Sequence, residues 1–303
     1  MMEKTDFQQK ISAFVPNIVL AFDEPMANHT SFRIGGPAEV MAFPKTVEEL
    51  SALLKMSTFL DLKPYILGAG TNVLAPDAGI PGLVICLKDC LGGMDLLDNS
   101  CIQVAAGVTM ARAAVFAASH GLSGLEFAHG IPGTVGGGVY MNAGAYGGEI
   151  SQVCISVDVM DMHGNLRTLT AEQMAFSYRH SRLEDEAGIV VSAVFKLVPM
   201  EEDAIRQTMQ TLMTKRRTSQ PLDKPSAGSA FKRPVGGYAA ALIDQAGLKG
   251  FRVGDAAVSE KHAGFAVNLG NATAQEVKLL LAQVSDKVYE MSGIRLEPEV
   301  RIW

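Results

Sequence analysis

The spacing of apolar and polar residues along the chain predicts a mixture of helices and strands. A Thr followed three residues later by Glu, with apolar residues at helical spacing behind it, predicts helix starts at Thr46 and Thr273. Helical periodicity also predicts helices over 109–120, 201–217 and 238–246. The elements lack a regular strand–helix–strand alternation, which favours the α+β class. Runs of strand length lie at 64–67, 83–87, 102–106, 152–160, 189–198 and 264–268.

A stretch dense in glycine interrupts this pattern at 121–148, where we expect loop rather than helix or sheet. Residues 129–138 read His-Gly-Ile-Pro-Gly-Thr-Val-Gly-Gly-Gly. Glycines leave backbone N–H groups accessible, which suits anions such as pyrophosphate. A purely structural loop is the alternative. The earlier Gly-Ala-Gly at 68–70 follows a predicted strand, but Val73 stands where a dinucleotide-binding fold has its third glycine.

The last third of the chain contains a break and an alternating end. Residues 220–225 read Gln-Pro-Leu-Asp-Lys-Pro, which predicts a domain boundary. Residues 296–302 alternate apolar and charged side chains with period two. In an extended chain, Glu297, Glu299 and Arg301 therefore share one face.

Composition excludes several classes of protein. The chain has 303 residues, 48% of them apolar and 19% charged, so it can bury large cores and is not a disordered chain. A chain of this length predicts about two domains. The formal net charge of −6, without a basic patch, argues against nucleic acid as the main partner.

The sequence also argues against membrane, secreted and metal-binding classes. The most apolar stretch, 104–119, is interrupted by Arg112 and is too short for a membrane span. Residues 1–6 have mixed charge and no apolar segment, so we expect no signal peptide. The four cysteines form no C-x-x-C pair, which predicts reduced thiols in a cytoplasm. The six histidines show no metal-ligand spacing, so we expect no metal site.

Several motifs occur in one order along nearly the whole chain. Together they resemble the UDP-N-acetylenolpyruvoylglucosamine reductase family, whose flavin-binding fold is shared with vanillyl-alcohol oxidase. The form Gly-Ser-Ala-Phe-Lys-Arg-Pro at 228–234 resembles the shorter type of the family, which lacks a tyrosine-bearing loop. The motifs lie at 28–36, 67–72, 130–137, 141–147, 176–179, 225–234, 244–250 and 296–300.

The resemblance implies an α+β architecture with three lobes. Residues 1–80 and 81–205 are expected to form the two subdomains of a FAD-binding fold of the vanillyl-alcohol-oxidase type. Residues 215–297 are expected to form a C-terminal α+β substrate domain. The terminal strand at 298–303 is expected to return towards the first subdomain.

The resemblance also implies the chemistry. The family uses NADPH to reduce noncovalent FAD, which then reduces the enolpyruvyl ether of UDP-N-acetylglucosamine to UDP-N-acetylmuramate for peptidoglycan. Carried over residue by residue, Ser229 is the proton donor, and Arg179 and Glu299 stabilise the enolic intermediate. Tyr178, Arg233 and Arg301 are the expected substrate-binding residues. Arg233 lies four residues after Ser229 and Arg301 two after Glu299, so we expect one or both to contact the UDP phosphates; solvent-facing arginines are the alternative. The expected cofactor-binding residues are Arg33, Gly68, Gly70, Thr71, Asn72, Gly130, Ile131, Pro132, Gly133, Thr134, Gly136, Gly137, Asn142 and Gly144.

Alternatives remain at this point. Glu297 shares its face with Glu299, and the choice between them rests on the family motif alone. The first alternative is another flavin oxidase or dehydrogenase of the same fold, such as an oxidase with covalently tethered FAD. A tether would need a His or Cys near the flavin, for which His129 is the candidate in the glycine stretch. Ser229 and Lys232 match the S-x-x-K pattern of penicillin-recognising acyl enzymes, but their S-D-N and K-T-G elements are absent. A non-catalytic nucleotide-binding module is the third alternative.

We expect a cytoplasmic monomer acting on a small molecule.

Overall fold

The computed structural model describes residues 11 and 13–303. The expectation about a signal peptide at 1–6 lies outside the described residues. The α-helices are α1 (Val47–Phe59), α2 (Met110–Ser119), α3 (Val135–Tyr140), α4 (Glu202–Ser219), α5 (Ala239–Gln245) and α6 (Ala274–Ser292). The strands are β1 (Val19–Pro25), β2 (Pro37–Phe43), β3 (Tyr65–Leu67), β4 (Val73–Leu74), β5 (Ile80–Cys86), β6 (Met94–Leu96), β7 (Cys101–Ala105), β8 (Leu122–Ser123), β9 (Gly144–Ala145), β10 (Gly148–Glu149), β11 (Cys154–Asp161), β12 (Leu166–Thr170), β13 (Gly188–Lys196), β14 (Val198–Pro199), β15 (Ser226–Ser229), β16 (Arg252–Val253), β17 (Ala256–Val258), β18 (Phe265–Asn268) and β19 (Arg301–Ile302).

The chain divides into two compact units, each built from three segments. The first unit contains Met1–Phe22, Val40–Ala69 and Gly82–Met213, and the second contains Asp23–Glu39, Gly70–Pro81 and Thr214–Trp303. Residues 23–39 and 70–81 therefore group with the C-terminal segment. Three lobes are expected from the sequence, two that bind FAD and one that binds substrate, and this division by ligand stays a prediction.

Two apolar clusters form the core of the first unit. One joins α1, through Leu50 and Leu53, to β2 and β5 of a sheet with strand order β1-β2-β5-β3. The other lies on an antiparallel sheet with order β12-β11-β13-β7-β6 and includes Ala113 of α2 and Val135 of α3. The glycine stretch that contains α3 is thus fixed to a sheet rather than free in solvent.

The second unit is built on an antiparallel sheet with order β15-β18-β17-β16. Apolar residues of α5 and α6, including Ile243 and Leu281, form one cluster with this sheet. The carboxylate of Asp77 accepts hydrogen bonds from the N–H groups of Ala274 (2.7 Å) and Gln275 (3.1 Å) at the start of α6. This contact stabilises the helix terminus, where N–H groups lack internal partners.

The predicted helix starts at the two threonines and the helix over 109–120 are confirmed. Thr109 precedes α2, and its side chain accepts from the N–H of Arg112 at 3.3 Å. Thr273 and Glu276 form a reciprocal capping box before α6, which ends at Gly293 with φ +71°. The other predicted helices and strands are also found, with ends shifted by a few residues.

The prediction of loop throughout 121–148 is wrong at α3 and at the two-residue strands β8, β9 and β10. Thr134 caps this short helix by accepting from the N–H of Gly137 at 3.3 Å. Gly136 lies so close to Ala106 that a Cβ atom on it would sit 2.9 Å from the Ala106 Cβ. The glycines therefore allow a helix to pack against the sheet, a tertiary effect that helix propensity alone does not indicate.

The described residues bear on three of the exclusions drawn from the sequence. All four cysteines are free, and burial raises the pKa of Cys86 to about 11 and that of Cys154 to about 12. These two thiols are therefore protonated at neutral pH. No helix among residues 11 and 13–303 has the length and apolarity needed to cross a membrane. The same residues contain no group of three metal-ligating side chains.

Candidate active site

Two loops of the first unit present backbone groups with no internal partner. The N–H groups of Gly68 and Ala69, after β3, and of Gly133 and Thr134, before α3, donate to no acceptor among the described residues. The two loops are in contact, because a Cβ atom on Gly68 would lie 2.7 Å from the Thr134 Oγ1.

This arrangement fits the pyrophosphate of a dinucleotide cofactor. Backbone amides without internal acceptors bind anions, and the missing side chain at Gly68 lets the loops approach each other. Thr134 is 1% exposed, so its hydroxyl serves the helix cap and not solvent. Gly68 and Ala69 thus form one cradle with the glycine loop in this unit.

The same unit carries Arg179 in a tight turn. Ser177 and His180 exchange two backbone hydrogen bonds, of 3.1 and 3.2 Å, so that Tyr178 and Arg179 occupy the corner. Arg179 has φ +54°, an uncommon conformation for a residue other than glycine. Its Nη2 donates to the carbonyl oxygen of Gly144 at 3.2 Å, and its guanidinium lies 5.1 Å from the centroid of the Tyr178 ring.

His129 precedes the glycine loop and is partly buried. Its Nδ1 is inaccessible to solvent and has no hydrogen-bond partner among the described residues. Burial lowers the pKa of the His129 imidazole below its ordinary value of 6.5. The ring is therefore neutral at neutral pH.

The second unit brings Ser229 and Glu299 together through backbone pairing. Ser229 ends β15, where it is paired with Phe265 of β18. The next residue, Ala230, accepts a hydrogen bond from the N–H of Glu299 at 2.9 Å. Ser229 is exposed and Glu299 is half-buried. A hydroxyl and a carboxyl group thus lie on neighbouring extended segments of one unit.

The terminal strand adds two further predicted residues to this neighbourhood. β19 pairs in parallel with β4, and the N–H of Arg301 donates to the carbonyl oxygen of Asn72 at 2.9 Å. The Asn72 side chain donates to the carbonyl oxygen of Glu299 at 3.1 Å. Asn72, Ser229, Glu299 and Arg301 are therefore neighbours, although Asn72 and Glu299 are 227 positions apart in sequence.

The structure distinguishes the two candidate acids of the terminal segment. The Glu297 carboxylate lies 2.5 Å from the Lys232 Nζ, and the Glu297 side chain is 70% exposed. Glu299 contacts the Asn72 loop through its carbonyl oxygen. The environment of Glu297 is that of a surface ion pair, which favours Glu299 as the functional acid.

Three further predicted residues, Arg33, Gly70 and Arg233, lie in loops of the second unit, whereas Gly130, Ile131, Pro132, Gly136, Gly137 and Asn142 belong to the first. The Arg233 guanidinium stacks 4.0 Å from the centroid of the Tyr238 ring, and both residues are exposed. Arg33 is exposed and has φ +56°. Gly70 accepts from the N–H of Ser31 at 3.0 Å, and a Cβ atom on Gly70 would overlap the carbonyl oxygen of His29. This close approach requires glycine at position 70.

Sequence reasoning missed the residues that hold these loops in place. The Ser31 side chain donates to the carbonyl oxygen of Ser226 at 2.6 Å, and the Asn268 side chain donates to that of Phe32 at 3.0 Å. In the first unit, the buried Ser181 donates to the carbonyl oxygen of Tyr140 at 2.7 Å. One signal in the sequence could have indicated a contact between a side chain and a distant backbone carbonyl: the polar Asn268 at the end of an apolar strand.

Matches to known families agree with a flavin-binding enzyme of two parts. Residues 38–170 match the model described as "FAD binding domain". Residues 220–303 match the model described as "UDP-N-acetylenolpyruvoylglucosamine reductase, C-terminal domain". The amide cradle at Gly68 and Thr134 lies within the first match, and Ser229 and Glu299 lie within the second.

Individual relatives extend this similarity to the whole chain. A UDP-N-acetylenolpyruvoylglucosamine reductase of Lactococcus lactis subsp. cremoris is 44% identical over 302 residues, covering 100% of this chain and 99% of the relative. One of Agathobacter rectalis is 45% identical over 307 residues, covering 98% of each. The crystal structure of the Thermus caldophilus enzyme matches with a TM-score of 0.79 at 35% identity, covering 95% of this chain and 99% of that one.

The chain belongs to the UDP-N-acetylenolpyruvoylglucosamine reductase family. The resemblance found in the sequence is therefore confirmed, as are the α+β class with its FAD-binding fold and C-terminal domain, and the flavin-dependent oxidoreductase class. The assignments of individual site residues stay predictions.

Proposed function

We propose that this protein reduces the enolpyruvyl ether of UDP-N-acetylglucosamine to UDP-N-acetylmuramate with NADPH, a step that supplies peptidoglycan precursors. The observation that carries the proposal is the 44% identity to a reductase of this name over the full chain. The exposed Ser229 directly precedes Ala230, whose carbonyl oxygen accepts from the N–H of the half-buried Glu299. This proximity supports the proposal, because the reaction requires a proton donor and a stabilised anion.

FAD, when bound, supplies the hydride relay between NADPH and the substrate. The amides of Gly68, Ala69, Gly133 and Thr134 would hold its pyrophosphate. The rest of the predicted set would complete a noncovalent site, apart from Asn142, whose side chain bonds the backbone of its own unit: Arg33, Gly70, Thr71, Asn72, Gly130, Ile131, Pro132, Gly136, Gly137 and Gly144.

Three side chains carry the chemistry in this proposal. Ser229 delivers a proton to the carbon that bears the ether oxygen and the carboxylate. Glu299 orders the hydroxyl and the substrate carboxylate, for which a protonated carboxyl group suits a closed site. Arg179 binds the substrate carboxylate, because its planar guanidinium donates two parallel hydrogen bonds.

The nucleotide end of the substrate would be held by the remaining predicted residues. Arg233 and Arg301 supply positive charge for the two phosphates, and Tyr178 supplies a ring and a hydroxyl. The stacking of Arg233 on Tyr238 holds the guanidinium in an ordered position. The protein would act as a cytoplasmic monomer without nucleic acid or membrane partners, as its net charge of −6 and its free thiols favour.

The test follows the colour of the flavin in the purified protein. We expect an absorption spectrum of oxidised flavin that NADPH bleaches without oxygen, and that added UDP-N-acetylglucosamine enolpyruvate restores with formation of UDP-N-acetylmuramate. Restoration by oxygen alone, with none by the substrate, would instead indicate an oxidase of the same fold. Acid precipitation provides a control, because colour that stays with the protein would contradict a noncovalent cofactor.

A further inference from the structure

The turn that presents Arg179 needs support from outside itself. Arg179 occupies a backbone conformation, φ +54°, that side-chain-bearing residues rarely adopt. The turn contains two backbone hydrogen bonds between Ser177 and His180. Such a two-residue turn with an unfavourable corner persists where surrounding contacts fix it.

Those contacts come from one short segment that begins at the last residue of α3, residues 140–144, which we call the anchor segment. The Asn142 Nδ2 donates to the carbonyl oxygen of Ser177 at 2.9 Å, before the corner. The Ser181 hydroxyl donates to the carbonyl oxygen of Tyr140 at 2.7 Å, after the corner. Arg179 itself donates to the carbonyl oxygen of Gly144 at 3.2 Å. The anchor segment therefore holds the turn at both ends and at its guanidinium.

The Asn142 side chain is buried and bonds the protein backbone, as expected of a residue that holds a loop in place and not of one that binds a ligand. The residue is 1% exposed, and its Oδ1 accepts from the N–H of Ser151 at 2.9 Å. These partners fix the orientation of the Asn142 amide. The carbonyl oxygen of Ser177 needs a donor and so faces the NH₂ group, and the N–H of Ser151 needs an acceptor and so faces the Oδ1 atom. Both polar ends are engaged by the backbone of this unit. Asn142 also has φ +42°, which asparagine tolerates better than most residues.

We propose that Asn142 is a positioning residue that acts on the reaction through Arg179, and that its side chain is not a cofactor contact. This rests on the proposed role of Arg179 in binding the substrate carboxylate. The Asn142 amide bonds both to Ser177, in the turn, and to Ser151, beyond the anchor segment. While both bonds are present, the turn stays in position for Arg179 to bond the carbonyl oxygen of Gly144.

Replacement of Asn142 by aspartate and by alanine separates this role from a general structural one. Asn142→Asp has nearly the same shape and keeps the acceptor for Ser151, but an ionised carboxylate cannot donate to Ser177. A protonated carboxyl group can donate. We therefore expect kcat near the wild-type value at low pH and a loss of about 10–100-fold as pH rises, the effect of a misplaced catalytic group. Asn142→Ala should lose activity to a similar degree at every pH.

Cofactor affinity and a double-mutant cycle complete the test. The dissociation constant of FAD, from flavin fluorescence, should change by less than about threefold in Asn142→Asp. In an Arg179→Ala background, Asn142→Asp should cause little further loss of kcat, because residues that act through one group are not additive. Ser51→Ala is the control: it likewise removes a side-chain hydrogen bond to a backbone carbonyl oxygen of the first unit, here from the Ser51 hydroxyl to Gly164, and should leave kcat unchanged.

Two results would overturn the proposal: weaker FAD binding with an unchanged kcat, or full additivity with Arg179→Ala. A wild-type protein that shows no turnover would contradict the proposed function, not this inference. In that case, urea unfolding decides. The midpoint shifts of Asn142→Asp and Arg179→Ala should be non-additive if Asn142 holds the turn, and additive if it does not.

Discussion

The two units carry predicted site residues of different kinds. The first unit offers backbone amides and close contacts between loops, as at Gly68 and Thr134. The second offers side chains carried on paired extended segments, as at Ser229 and Glu299. A backbone site is sensitive to added volume, whereas a side-chain site is sensitive to the loss of a functional group. The same kind of substitution should therefore have different consequences in the two units.

The largest effect is expected from the loss of the Ser229 hydroxyl. In Ser229→Ala, reduction of the flavin by NADPH should stay nearly intact, because the proton is needed only after hydride has reached the substrate. Reoxidation by the enolpyruvyl substrate should slow by about 10²–10⁴-fold, the usual value of one positioned acid. Stopped-flow absorbance measures the two half-reactions separately. Equal slowing of both would assign Ser229 a structural or binding role.

The next effect distinguishes the two acids of the terminal segment. Glu299→Gln should lower kcat by about 10²-fold, since a group that stabilises developing charge is removed. Glu297→Gln removes an exposed ion pair with Lys232, which is worth at most about 1 kcal/mol, and should leave kcat within about threefold. Steady-state kinetics of both variants, with urea unfolding as a control for stability, checks this. The reverse order of effects would move the functional acid to Glu297.

A third prediction concerns glycines, whose roles differ between the units. In α3, Gly136→Ala should cost about 1–3 kcal/mol, because its Cβ would lie 2.9 Å from that of Ala106. Gly137→Ala is the control in the same helix, since the nearest atom to its Cβ would be 3.6 Å away. In the second unit, Gly228 has open space around it but φ +74°, so Gly228→Ala should cost about 1 kcal/mol through backbone strain.

Urea unfolding measures these differences. If Gly136→Ala and Gly137→Ala had equal midpoints, close packing of α3 on the sheet would not limit stability. FAD fluorescence on the same samples shows whether the altered helix also weakens cofactor binding.

Features that depend on neighbouring residues were predicted well from the sequence, whereas features that depend on contacts between distant segments were not. The caps at Thr109 and Thr273 depend on hydrogen bonds within one turn, which the sequence displays directly. The helix α3 was missed because it packs closely against Ala106, which directly follows β7 and is 30 positions from Gly136. The choice of Glu299 over Glu297 came from the family motif and stays a prediction, which the surface ion pair of Glu297 with Lys232 supports. Recognition of the family supplied Ser229 and Arg179. The hydrogen bonds of Asn142 and Ser181 that hold the Arg179 turn are visible only in the three-dimensional structure.

The smallest expected effect compares one histidine from each unit. Burial lowers the pKa of His129 in the first unit and of His262 in the second below 6.5. The His262 Nδ1 accepts from the N–H of Gly264 at 3.2 Å, whereas the His129 Nδ1 has no partner among the described residues. Protonation would therefore break a hydrogen bond at His262 but not at His129.

Because both rings take up a proton more readily in the unfolded chain, their contribution to stability is present above about pH 6.5 and is lost as pH falls. His262→Asn keeps an acceptor for Gly264 but does not titrate, so the free energy of unfolding should decline less between pH 7.5 and 5.5. His129→Asn should flatten the decline by a smaller amount. Each effect should be under about 1 kcal/mol, since both rings are partly exposed and solvent screens them. Urea unfolding across this range measures the slopes, with the exposed His163→Asn as control; slopes equal to wild type in both variants would mean that other groups set the acid sensitivity.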